Sequence, residues 1–168
     1  SLDAFLFCCY AGMRYSDFTN LSKKNIVDIN QETWLIYKSV KTGTEVRLPL
    51  YLLFAGKGIV ILNKYRNNLE DFFRLRDNSN INKDLIIIAK LAGLSKKISF
   101  HTARHTNATL LIYNGVNITT VQKLLGHKSV KTTQVYTNIM DMTIVHDLEK
   151  IKQAALGIKK KTDNSFNK

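Results

Sequence analysis

Glycines at positions 12, 93, 115 and 126 each follow an apolar or helix-periodic stretch, and only one proline stands anywhere in the 168 residues. A glycine just past such a stretch takes the left-handed conformation that ends a helix without a Cβ clash, whereas a proline inside it would break the ladder. The chain is therefore cut into helices of definite reach: residues 2–11, about 80–92, about 100–113 and about 119–125. Further helices are expected at about 58–67, 130–138 and 142–156. In the last of these Val145, Leu148, Ile151 and Ala155 form one apolar stripe.

After the first helix the period changes. Arg14 falls in a turn, and Ser16 is placed to cap a short helix through Leu21, which would pin the guanidinium between two helix ends. Ile26 and Ile29, then Thr33, Leu35 and Tyr37, then Val46 and Leu48 follow strand alternation, and Lys-Thr-Gly-Thr at 41–44 is a turn sequence. A small antiparallel sheet with Lys41 at a hairpin tip follows. Asp77–Lys83 reads as a mobile loop and Lys159–Lys168 as a solvated tail. The expectation is one mostly helical α+β domain around one core. The longest apolar run, Phe5–Met13, falls short of the ~18 residues that span a bilayer, and no basic-then-apolar leader precedes it. Adjacent Cys8 and Cys9 cannot easily bridge one another, so a disulfide framework is excluded. A soluble protein of the reducing cytoplasm fits these features.

With 25 basic and 13 acidic residues, a formal charge of +12 and a pI near 9.7, the chain is suited to a polyanionic partner. The surplus is uneven: residues 101–140 hold 4 basic side chains and no carboxylate. That stretch also contains His101, Arg104, His127 and Tyr136, so it offers imidazoles, a guanidinium and many hydroxyls to an anion, with a phenol beside them. Each residue also has a plainer role. Tyrosines are more often core than nucleophile, and Tyr113, in the apolar run Leu110–Tyr113, is the better core residue; Tyr136 stands among Thr132, Thr133 and Gln134, free to face a cleft. His101 and His105 are spaced like zinc ligands, but Thr102 stands where a metalloprotease carries glutamate and no third ligand is near, so no metal or other cofactor is expected. His105 reads as a packed residue bracing Arg104, and His146 as a surface residue. Lys23, Lys24, Lys96 and Lys97 read as surface charges, of which Lys96 and Lys97, just ahead of the His101 helix, are placed to meet a nucleic-acid backbone.

In sum the residues resemble the tyrosine recombinases, or phage-type integrases, over nearly the whole chain. AGMRYSDFTNL at 11–21 is similar to the family's first arginine box, KTGTEVRLPL at 41–50 to its lysine hairpin, and the stretch from His101 to Ile139 to its second box. The nine-residue spacing from His127 to Tyr136 adds to the match. The resemblance implies the tyrosine-recombinase catalytic fold over residues 1–158, with a three-stranded antiparallel sheet near the N-terminus. It implies metal-free cutting and rejoining of double-stranded DNA through a 3′-phosphotyrosyl intermediate, in a tetramer on DNA, by an integrase of a mobile element. Tyr136 would be the nucleophile, His101 its base, Arg14, Arg104 and His127 the donors to the phosphate, and Lys41 the acid for the leaving 5′-oxygen. Family members also carry an N-terminal core-binding domain, expected to be absent from this chain, which alone would bind DNA weakly. Relaxation of supercoils by a type IB topoisomerase and a noncatalytic DNA-binding module are the competing functions. Departures from the pattern are Asp17 in place of glutamate, which reads as a helix cap, and Ala103 and Asn107 in place of larger residues, which would loosen packing.

Overall fold

The computed structural model describes residues 1–136 and, beyond them, residues 144, 148, 149 and 151–154. Its organising contact is between α1 (Leu2–Ala11) and α6 (Phe100–Tyr113), which pack along much of their length. Around them lie α2 (Tyr15–Phe18), α3 (Lys57–Lys64), α4 (Leu69–Phe73), α5 (Asn78–Leu91) and α7 (Ile118–Leu125). An aromatic cluster fills the space between: Phe18 stands within 6.2 Å, centroid to centroid, of Phe7, Phe72, Phe73 and Phe100. Edge-on pairs of this kind contribute about 0.5–1.5 kcal/mol each beyond the area they bury.

Strands β1 (Ile26–Ile29), β2 (Glu32–Lys38) and β3 (Glu45–Pro49) form an antiparallel sheet in the order β1-β2-β3. Leu35 pairs with Leu48 and Tyr37 with Val46. All four are buried, so the face that period-two alternation marks as apolar is the face laid on the helices. The β1–β2 turn places Asn30 and Gln31 at φ 52° and 66°, the paired left-handed residues of a type I′ hairpin.

Helix ends agree closely with the glycine positions. Gly12 and Gly126 sit at φ 68° and 63°. At Gly126 any Cβ would stand 2.6 Å from Val46 Cγ2, so both conformation and space demand glycine there. Helix α6 begins with a capping box in which the Ser99 N–H donates to Thr102 Oγ1 at 3.0 Å. The Phe100 N–H donates to Asn82 Oδ1 at 2.7 Å, tying α5 to the start of α6.

Several expectations are corrected. The segment 77–83 is not a loop: the Asp77 carboxylate accepts from the Asn80 N–H and caps α5. Ser16 caps nothing; Arg14 holds the N-cap position of a helix that ends at Phe18. Helix α4 has no counterpart among the helices expected from sequence, because its five residues make little more than one turn and so repeat no apolar face. Within the helix expected at 130–138, Val130–Thr132 and Gln134–Tyr136 form two 3-10 turns, and residues 137–138 lie outside the described residues. Tyr113 is not core but 43% exposed at the end of α6. Most of the expected helix at 142–156 and all of the tail at 159–168, with His146, lie outside the described residues; Leu148 and Ile151 are exposed. Among the described residues no helix is long and apolar enough to cross a membrane, and Cys8 and Cys9 are free and buried.

Candidate active site

Helix α6 carries the centre of the site because its pitch puts residues three and four apart on one side. His101, Arg104 and His105 meet that spacing. Arg104 is buried, and its Nη1 and Nη2 donate to the carbonyls of Gly12 and Leu125 at 2.7 and 2.6 Å. Both carbonyls belong to helix C-termini, where backbone acceptors lack intrahelical donors. The planar fork thus joins the ends of α1 and α7 and cannot swing. Burial first, and the Arg14 charge second, lower the Arg104 pKa to about 10. The group stays cationic at neutral pH with donors to spare.

Arg14 reaches the site from the start of α2. Its Nη1 donates to Asp17 Oδ2 at 3.5 Å and to Ser39 Oγ at 3.3 Å. Asp17 is not the expected helix cap: its Oδ1 accepts from the Val40 N–H at 2.8 Å and its Oδ2 from Ser39 Oγ at 3.4 Å. The short side chain is directed outward to the β2–β3 hairpin, so one buried carboxylate holds both Arg14 and the root of the Lys41 turn. The tip of the same turn is fixed by Thr42 Oγ1, which donates to the Gly126 carbonyl at 3.1 Å. Arg14, Lys41 and His101 together line an open cleft of about 300 Å³ with Tyr15, Ser16 and Asn78.

His127 follows the left-handed Gly126, which turns it back over the end of α7. Its Nδ1 lies 2.9 Å from Thr133 Oγ1, and its carbonyl accepts from Gln122 Nε2. Burial, then the charges of Arg104 and Arg14, depress its pKa to about 4. Burial, followed by His105, Arg104, Arg14 and Lys41, also lowers His101. Both imidazoles are therefore neutral at pH 7. When the Thr133 hydroxyl is the donor in this pair, the neutral His127 ring carries its proton on Nε2, where it can be given to an oxyanion.

Tyr136 does not face an open cleft as the sequence suggested; it is only 7% exposed. The reason is the 3-10 turn, whose three-residue period eclipses Thr133 and Tyr136. Both are buried while Val135 between them is 70% exposed, and each meets an imidazole. The phenol oxygen lies 2.8 Å from His105 Nδ1. Burial raises the Tyr136 pKa, and the charge of Arg104 opposes that rise. His105 is thus an exposed residue in contact with the phenol rather than a packed brace for Arg104. Its ring stands edge-on to that of His101 at 4.7 Å. Among the described residues no group of three His, Cys, Asp or Glu side chains is placed to hold a metal.

The structure therefore brings Arg14, Lys41, His101, Arg104, His127 and Tyr136 to one region, linked by the reach of the Arg14 and Arg104 charges. Lys96 and Lys97 are exposed just before α6, at the margin rather than inside. Asp17, Ser39, Thr133 and His105 were missed as site residues. For His105 the signal was present, since its four-residue spacing from His101 placed it on the same face.

Cationic and neutral donors thus converge beside a tyrosine. The family model described as the phage integrase family matches residues 2–142, and the chain belongs to that family. It is 30% identical over 159 residues to the tyrosine recombinase XerC of Rickettsia prowazekii (strain Madrid E), covering 89% of this chain and 49% of that protein. It is 34% identical over 134 residues to the tyrosine recombinase XerA of Saccharolobus solfataricus, covering 77% of this chain and 42% of that one. The chain spans about half the length of the curated relatives it matches. A crystal structure of XerA recombinase superimposes with a TM-score of 0.66 at 27% identity, over 84% of this chain and 54% of that one. The fold also matches lambda integrase (75–356), solved as a dimer bound to a COC′ core site, with a TM-score of 0.63 at 23% identity over 80% of this chain and 50% of that one.

Proposed function

We propose that the protein is the strand-cutting part of a site-specific DNA recombinase, an integrase of a mobile element, acting on double-stranded DNA through a 3′-phosphotyrosyl bond. The observation that carries this reading is the crowding of two guanidinium groups: Arg104 is buried with the Arg14 charge beside it, and a phenol lies within reach of the Arg104 charge. Asp17 balances only one of the two charges, so the remaining positive charge suits an anion.

Tyr136 Oη attacks the phosphorus, forms the tyrosyl ester and displaces the 5′-oxygen of the next nucleotide. Negative charge grows on the non-bridging oxygens, and the forks of Arg14 and Arg104 with the Nε2–H of His127 face it. An α6 imidazole takes the phenol proton, His101 being the expectation from sequence, and Lys41 supplies a proton to the departing oxygen. Rejoining runs the same steps backward with an incoming 5′-hydroxyl, so the ester energy is retained and no metal is required. Assembly as a tetramer on DNA, with an N-terminal core-binding domain completing the clamp, belongs to the same proposal.

The test uses the natural full-length protein and a nicked duplex bearing its recombination site, from which the 5′-hydroxyl fragment diffuses away. A covalent protein–DNA adduct is expected to accumulate, and Tyr136→Phe to abolish it. An undiminished adduct in that variant would overturn the proposal.

A further inference from the structure

Among the described residues, the imidazole that touches the reacting phenol belongs to His105. We infer that His105 is a catalytic residue of the cleavage step: it holds Tyr136 Oη by a hydrogen bond to Nδ1 and takes the phenol proton as the oxygen attacks phosphorus. This rests on the proposed recombinase chemistry and deepens it, since it moves the base from His101 to its neighbour one helical turn later.

The geometry carries the assignment. The Oη to Nδ1 separation is 2.8 Å, within the range a general base needs before the reaction begins. For the phenol to donate, Nδ1 must be bare and the ring proton must lie on Nε2. His105 is an exposed residue although its bond to the phenol is part-buried, so a positive charge formed on it is not sealed from water. His101 meets His105 edge-on at 4.7 Å and faces the cleft shared with Arg14 and Lys41. There it can serve the phosphate while His105 serves the nucleophile. Two imidazoles on one helix face thus divide two tasks.

The protons balance. In cleavage the O–H bond of Tyr136 breaks and an N–H bond forms at His105 Nδ1, while Lys41 gives a proton to the departing 5′-oxygen. In rejoining the incoming 5′-hydroxyl returns its proton to Lys41 and His105 returns the other to the phenolate. Neither step needs a further reactant.

Two measurements test the inference. In the DNA-free chain, nitrogen NMR should report a bare, hydrogen-bonded Nδ1 on His105. Tyr136→Phe should move that resonance while leaving His101 nearly in place; a shift confined to His101 would overturn the assignment. With the full-length protein on the nicked duplex, His105→Ala should slow adduct formation by about 10²-fold or more, and added imidazole should recover part of the rate. His105→Asn keeps an acceptor near the Nδ1 position but cannot take the proton, so it should stay slow while melting as the parent does. Parental speed in His105→Asn, or no response of a folded His105→Ala to imidazole, would overturn the role of His105. Because the recombinase reading stands or falls on Tyr136→Phe instead, failure of one is distinguishable from failure of the other.

Discussion

At the residue scale, the site draws its properties from side chains denied water. Tyr37 shows this most simply. Its hydroxyl is buried and, among the described residues, finds no hydrogen-bond partner; burial first, then Asp17, pushes its pKa upward, against the charges of Arg104 and Arg14. An unsatisfied buried hydroxyl costs about 1–3 kcal/mol, so Tyr37→Phe should leave the melting temperature unchanged or raise it, and calorimetry would show a fall if the hydroxyl contributes to the fold. His127 makes the complementary case for pH. Its pKa falls from about 6.5 in an unfolded chain to about 4 in the native one. Between these values the unfolded chain binds more protons, so stability is present above pH 6.5 and is lost as pH falls toward 4. Melting temperature should drop across that window, and His127→Asn should flatten the drop; a parent and variant with parallel profiles would refute this source.

At the element scale, function depends on how the β2–β3 hairpin is fastened. Asp17 accepts from Val40, Ser39 and Arg14, and Thr42 reaches the Gly126 carbonyl, so the turn bearing Lys41 is tied to α2 and to the end of α7. Asp17→Ala would leave the half-buried Arg14 guanidinium and the Val40 N–H without their shared acceptor. A loss of about 1–3 kcal/mol in chemical denaturation is expected, with adduct formation falling further than stability alone explains, since Arg14 and Lys41 both lose their reference point. An unchanged cleavage rate in a folded variant would show the tether to be idle. Much of this element structure was legible in sequence. The bounds of α6 and the presence of an antiparallel sheet followed from periodicity and Gly115, because local pattern and burial agree there, whereas the strand register and the Ser99 cap are seen only in the structure. What escaped were contacts between residues far apart in the chain. Asp17 has the composition of a cap but a stronger partner in the hairpin, and Asn107 reads as a packing defect until Cys9 and Tyr10 supply carbonyls for its Nδ2 at 3.0 and 2.9 Å. The seat of Tyr136 escaped for another reason: a 3-10 turn and a short helix have similar sequences but place different residues inward.

At the scale of the whole molecule, the charge of +12 acts beyond the cleft. Backbone phosphates release condensed counterions when cationic side chains replace them, so affinity for duplex DNA should fall linearly on a double-logarithmic plot against salt, by about 0.9 per phosphate neutralised. Lys96 and Lys97 are exposed just ahead of α6, the helix that carries Arg104. If they neutralise a phosphate each, Lys96→Ala combined with Lys97→Ala should weaken binding about equally for all sequences and reduce the slope by about 2. Fluorescence anisotropy on two unrelated duplexes between 50 and 200 mM salt distinguishes this from base recognition, because a lost base contact changes the ratio between sequences while leaving the slope intact. An unaltered slope would mean that these two lysines face solvent on the complex, and that the phosphates are held by the site alone.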